Sequence, residues 1–121
     1  MRLLIVAIGF TIMGSALAVE KSNFQVNNAA GLVEICSVTA DDPLFVNAKE
    51  FCHGYLVGAF HYYDATEPPS NRFVCAPTPT PSRAEVMRRF VAWTAEHPQY
   101  MEERPIDVLF RFLAETYPCK N

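Results

Sequence analysis

No uninterrupted apolar run in this chain of 121 residues reaches the roughly 20 residues that a membrane-spanning helix needs. There is also no basic patch or stripe. Ten Lys and Arg residues are scattered among thirteen acids, for a formal net charge of −3, which argues against nucleic acid or an anionic lipid surface as partner. No Cys-x-x-Cys pair occurs: Cys36, Cys52, Cys75 and Cys119 are separated by 16, 23 and 44 residues. A zinc site, which wants close ligand pairs, is therefore not expected. No Gly-x-Ser-x-Gly elbow surrounds Ser22, Ser37, Ser70 or Ser82, and no phosphate loop is present. The carboxylate pairs Asp41-Asp42 and Glu102-Glu103 lie beside expected helix starts, where the helix dipole favours acids in any case. These absences point away from an enzyme, and no metal or cofactor is expected.

What is present begins with the first eighteen residues. Met1-Arg2 give a short positive start, Leu3 to Met13 are apolar, and Ala16-Leu17-Ala18 is a small-x-small cleavage site. The pattern is that of a signal peptide over residues 1–18, cut between Ala18 and Val19. Export to the periplasm follows, with no membrane association after cleavage. Residues 19–121 suffice for a single domain. Losing Arg2 leaves nine basic residues against thirteen acids, a charge of about −4, and the acidic balance leaves a basic protein partner open. Four cysteines behind an export signal read as two disulfides in an oxidising compartment.

The apolar periodicity is helical nearly throughout and no alternating strand pattern appears. A first helix is expected over about Asn28 to Ser37, with Ala29, Leu32, Val33 and Cys36 on one face. Asp42-Pro43 supplies an N-cap and a first-turn proline for a second helix, from Leu44 to about Asp64. Its inward stripe reads Leu44, Ala48, Phe51, Cys52, Tyr55, Ala59 and Tyr62. Five prolines between Ala65 and Pro81 forbid a helix or a central strand and make a linker. Ser82 and Glu85 have capping-box spacing for a third helix that ends at His97 before Pro98. Val86, Met87, Phe90, Val91 and Trp93 should face inward there, with Glu85, Arg88, Arg89 and Glu96 outward. Pro105 opens a fourth helix, with Ile106, Leu109, Phe110, Leu113 and Tyr117 inward and Pro118 as the stop.

The fold class is therefore all-α: a small four-helix, up-and-down-like bundle. In that arrangement the end of the first helix and the start of the second share a pole, and so do the start of the third and the end of the fourth. Of three connectivities this favours Cys36–Cys52 with Cys75–Cys119, closing loops worth roughly 3 and 4 kcal/mol in the chain-entropy model.

Three features of the second and fourth helices bear on function. His53 and His61 lie about 80° apart around the second helix, on its expected outward side. Their spacing does not suit a metal pair, and exposed histidines are the plain reading. Gly54 and Gly58 cost roughly 2 kcal/mol of helix propensity together, which close internal packing, or a partner's backbone, would explain. Val46, Val57 and Phe60 on the outward side of the second helix, with Val108 and Phe112 on that of the fourth, mean burial on two sides or an apolar surface for another protein. His97, before Pro98, is placed to cap the third helix.

The segment Phe51-Cys52-His53-Gly54-Tyr55-Leu56-Val57-Gly58 resembles the Phe-Cys-x-Gly-Tyr-x-x-Gly signature of the Rap and Tai type immunity proteins, periplasmic partners of type VI secretion amidases. Cys36 closing a short first helix, Cys75-Ala76-Pro77, Ser82, Glu96-His97-Pro98 and the terminal Tyr117-Pro118-Cys119 fit in order, so the resemblance covers about Ala30 to Cys119. It implies a periplasmic immunity protein that binds and inhibits a secreted peptidoglycan amidase toxin with a Cys-His active site. It also implies a framework role for Phe51, Gly54, Tyr55, Gly58 and the four cysteines. Recognition is expected in loops on a rigid scaffold: Glu67, Asn71, Arg72 and Phe73 in the linker, and Tyr100, Glu102, Glu103 and Arg104 before the fourth helix. The alternative is a periplasmic stress or chaperone-like helical binding protein with no toxin partner. A homodimer is a further partner to consider.

Overall fold

A computed structural model describes residues 18–120. The expected leader lies outside the described residues except for Ala18. Four α-helices follow in order: α1 (Ala29–Cys36), α2 (Phe45–Thr66), α3 (Arg83–Ala95) and α4 (Pro105–Thr116), with 3-10 turns at Lys21–Gln25, Pro69–Asn71 and Pro98–Tyr100. Consecutive helices pack together, α4 closes back on α1, and α1 meets α3 across the diagonal. Among the described residues, extended pairing amounts to one bridge, Val74 with Pro118. Cys36 is joined to Cys52 and Cys75 to Cys119, with Cα–Cα separations of 5.2 and 4.8 Å. The all-α bundle stapled by two disulfides is what forms.

The helix ends show local chemistry at work, with two corrections. Asn28 caps α1 through its side chain, which accepts the Gly31 N–H at 3.0 Å. Ser82 likewise accepts from the Glu85 N–H at 3.1 Å. The Glu85 carboxylate does not return the favour to Ser82; it pairs with Arg89 one turn on, at 2.6 Å. Asp42-Pro43 does not open α2. Asp42 instead accepts the N–H groups of Leu44 (2.7 Å) and Val19 (2.9 Å), shaping a turn and tying down the start of the chain, and the helix begins at Phe45. His97 caps α3 as expected, its Nδ1 lying 2.7 Å from the Trp93 carbonyl.

Packing rotates α2 away from its expected face. Its buried residues are Ala48, Cys52, His53, Leu56 and Tyr63, whereas Tyr62 is 74% exposed. Tyr63 is the better occupant because its hydroxyl accepts the N–H groups of Phe73 and Val74, at 2.7 and 3.1 Å, leaving no buried polar tip unpaired. The same rotation carries His53 inward to 8% exposure while His61 stays outside. The outward placement of His53 is thus corrected. On α4, Val108 and Phe112 are fully buried beside Leu109 and Leu113, while Ile106 reaches 36% exposure and Phe110 is half-buried. This helix is covered on two sides, by α1 and α3, and Phe112 packs edge-on against Phe90 at 5.5 Å.

Close packing does not explain the glycine pair. Gly54 and Gly58 lie on the exposed face of α2, and a Cβ added to either meets nothing within 4 Å. Replacing both by alanine is expected to stabilise the isolated domain by about 1–2 kcal/mol, read as a rise in thermal midpoint by circular dichroism. An unchanged or lower midpoint would show that something in the folded domain requires the bare backbone.

Candidate partner interface

The linker residues are tied to the end of α2. Arg72 bonds the carbonyls of Asp64 and Glu67 at 2.6 and 3.1 Å and pairs with the Asp64 carboxylate at 2.8 Å. Its guanidinium therefore works as a C-terminal cap, satisfying carbonyls that the helix leaves open. Glu67 ends the helix, its N–H bonded to Tyr63 O, and the Asn71 N–H closes the 3-10 turn on Pro68 O. Phe73 is half-exposed, its ring against Tyr63 (5.3 Å) and Phe110 (6.3 Å).

The segment before α4 is held more firmly. The rings of Trp93, His97 and Tyr100 form a stack, with Trp93 to His97 at 3.9 Å and His97 to Tyr100 at 5.8 Å. The Arg111 guanidinium lies 4.7 Å from the Tyr100 ring centroid, within cation–π range, and also pairs with Glu103 at 3.2 Å. Glu102 accepts from Asn28 at 3.1 Å, and Arg104 pairs with Asp107 at 2.7 Å. The carbonyls of Met101 and Glu103 receive the Ala30 and Ala29 N–H groups, both at 2.9 Å, so this loop satisfies two free donors at the start of α1. The two loop sets do not touch each other through any hydrogen bond, ion pair or ring contact among the described residues. They flank α4, whose neighbours Phe110 and Arg111 diverge by about 100° and meet Phe73 and Tyr100 respectively.

A third feature escaped the sequence analysis. A cavity of about 310 Å³ opens between α2, the linker from Val74 to Pro81, the start of α3 and the end of α4. Leu56, Phe60, Val86 and Leu113 supply much of its apolar wall, and His53 and Tyr117 line it too. His53 Nε2 and the Tyr117 hydroxyl are both buried and have no hydrogen-bond partner. Burial pushes the Tyr117 hydroxyl above its ordinary pKa, while Arg89 pulls it down. That guanidinium sits over the ring, 6.0 Å from its centroid, near enough to act on the hydroxyl although the two do not meet in hydrogen-bond geometry. The available signal for His53 was its place beside Cys52, which a disulfide draws inward.

Among the described residues no three His, Cys, Asp or Glu side chains converge as metal ligands, and none of the four cysteines is free. No helix there is long and apolar enough to cross a membrane. What the fold defines is a disulfide-stapled helical domain with two loops packed beside one helix. Among such domains the chain belongs to the Rap1a immunity protein family, whose model matches residues 28–119. No curated protein and no solved structure matches it. Membership in this family supports an immunity role, with a protein toxin as the partner.

Proposed function

We propose that the chain is a periplasmic immunity protein that binds a secreted peptidoglycan amidase and blocks its cleft, without catalysis or cofactor. The family match over residues 28–119 carries the reading, and the rigid loops flanking α4 supply surfaces of the kind that recognition uses. Phe73 and Tyr100 provide aromatic contact area, and Glu102, exposed at the loop tip, helps steer a basic enzyme. Glu67, Asn71, Arg72, Glu103 and Arg104 complete the contact set, with Arg72 the residue most committed to the fold itself.

The test is capture. The oxidised domain, used as bait against periplasmic and secreted proteins, is expected to retain a cell-wall amidase in a stoichiometric complex with its activity blocked. Substitution of Tyr100, Glu102 and Phe73 by alanine should weaken that complex at least tenfold, as truncated interface anchors do. Failure to retain any amidase, with candidate enzymes in excess, would remove the amidase from the reading.

Export with cleavage after Ala18 belongs to the same proposal, and the start of the described chain supports it. Val19 N lies 2.9 Å from Asp42 Oδ2, and the Val19 side chain packs on the core. Cleavage at that bond turns a neutral N–H donor into an ammonium facing a carboxylate, which strengthens the contact. Asp42→Asn is expected to cost the processed domain about 1–2 kcal/mol, and less when one extra residue precedes Val19. Equal losses in the two forms, measured by urea unfolding, would show that the new amine is not what Asp42 holds.

A further inference from the structure

We infer that the cavity between α2 and the end of α4 is a binding site for a free aliphatic carboxylate, its chain among the apolar walls and its head group against Arg83. The walls come from four elements: Leu56 and Phe60 on α2, Val74 and Pro77 in the linker, Val86 on α3 and Leu113 on α4. Leu56, Val74 and Leu113 are buried in the fold, so the inner surface is largely hydrocarbon. The linker side is stiff. Pro77 and Pro81 fix their backbone angles, and the Cys75–Cys119 bridge ties that stretch to the C-terminal segment. A preformed apolar cleft takes a ligand with little ordering of its own.

Charge selects the head group. The chain carries thirteen acids against ten Lys and Arg, yet among the described residues no Asp or Glu lines the cavity, and Arg83 does. Arg83 and His61 are exposed as well as lining it, so they stand at its mouth. Arg72, Arg89, Arg104 and Arg111 each pair with a carboxylate, whereas Arg83 forms no ion pair among the described residues. A guanidinium free at the edge of an apolar cleft suits a carboxylate, which it can meet in two parallel N–H···O bonds. An ammonium head group would be repelled there. The buried His53 Nε2 and Tyr117 hydroxyl lie beneath the cavity surface and take no part.

Size decides between a free molecule and a partner's side chain. A volume of about 310 Å³ is roughly twice that of a cavity that holds benzene. One inserted ring would leave half of it empty, whereas an alkyl chain of roughly eight to ten carbons would fill it. The site is therefore independent of the immunity reading. Ligand binding is read on the domain alone, and toxin capture is read separately, so either can fail without the other.

The probes are the straight-chain acids from butanoate to decanoate, with octylammonium as the counterpart of opposite charge. Titrated into the isotopically labelled oxidised domain, octanoate is expected to shift the Leu56, Val86 and Leu113 methyl signals saturably. It should bind about tenfold more tightly than octylammonium, because the same rim that attracts one repels the other. Affinity should rise about fourfold for each added CH2 and level off once the chain outgrows the cavity. Arg83→Gln should weaken octanoate about threefold and leave the thermal midpoint where it was, since no ion pair within the fold is lost. No saturable shift in millimolar octanoate, or shifts confined to residues outside the cavity, overturns the site. Equal binding of the two head groups, affinity indifferent to chain length, or octanoate binding unchanged in Arg83→Gln overturns the assigned ligand.

Discussion

Replacing Cys75 and Cys119 together by alanine is expected to lower the stability of the domain by about 4 kcal/mol in the chain-entropy model. The bridge closes a span of 44 residues, so its loss returns a large loop to the unfolded ensemble. Little else joins the linker to the C-terminal segment. The Cys75 N–H bonds Tyr117 O at 3.0 Å and the Cys119 N–H bonds Phe73 O at 3.2 Å, one short extended contact. Two such bonds, each worth about 1 kcal/mol net, cannot hold the ends of that span without the covalent link. A domain of this size has roughly 5–15 kcal/mol in all, so the variant should unfold at much lower urea than the native domain under the same oxidising conditions. The Val74 to Pro81 wall and Tyr117 would part company first, taking the cavity with them. A loss below about 1 kcal/mol would show that the extended contact and the packing of Tyr117 close the span by themselves.

That bridge was legible because it needed only topology. Prolines 98, 105 and 118 and the capping residue Ser82 mark helix limits locally, and short connections then fix which ends share a pole. What was not legible turned on small rotations. Apolar residues spread most of the way around α2, so periodicity alone could not separate a face centred on Tyr55 and Tyr62 from one centred on Leu56 and Tyr63. The decision lay in a distant event, the Phe73 and Val74 N–H groups arriving at the Tyr63 hydroxyl. The misplacement of His53 followed from the same step, and with it the cavity went unseen. α4 had the converse difficulty. A stripe model assigns one inward side, but this helix lies between α1 and α3 and buries Val108 and Phe112 as well. The Asp42-Pro43 signal was sound chemistry used for a different purpose, because a carboxylate that caps a turn and one that caps a helix look alike in sequence. Among the loop residues, Arg72, Tyr100, Glu102, Glu103 and Arg104 proved to be engaged within the fold, which charge and position in a loop do not reveal.

Trp93→Ala is the second large effect, an expected loss of about 3 kcal/mol, at the low end for a truncated large aromatic because the side chain is only half-buried. Its indole meets three rings, His97 at 3.9 Å and Tyr100 and Phe112 each at 6.0 Å, and its Nε1 donates to Glu115 at 2.8 Å. Removing it undoes the stack that seats Tyr100, and with Tyr100 the loop whose carbonyls serve the Ala29 and Ala30 N–H groups. Hydrogen exchange should therefore accelerate at Ala29 and Ala30 well before the domain as a whole unfolds, since those bonds depend on a loop now free to leave. Trp93→Phe separates packing from hydrogen bonding. It keeps most of the stack while deleting the bond to Glu115, and should cost about 1 kcal/mol. If the 98–104 segment contacts the toxin, the alanine variant should lose affinity under conditions where it is still fully folded, because the partner must then reorder the loop at its own cost. Affinity that survives while exchange at Ala29 and Ala30 accelerates would move the contact surface off this loop and toward Phe73 and the cavity beside it.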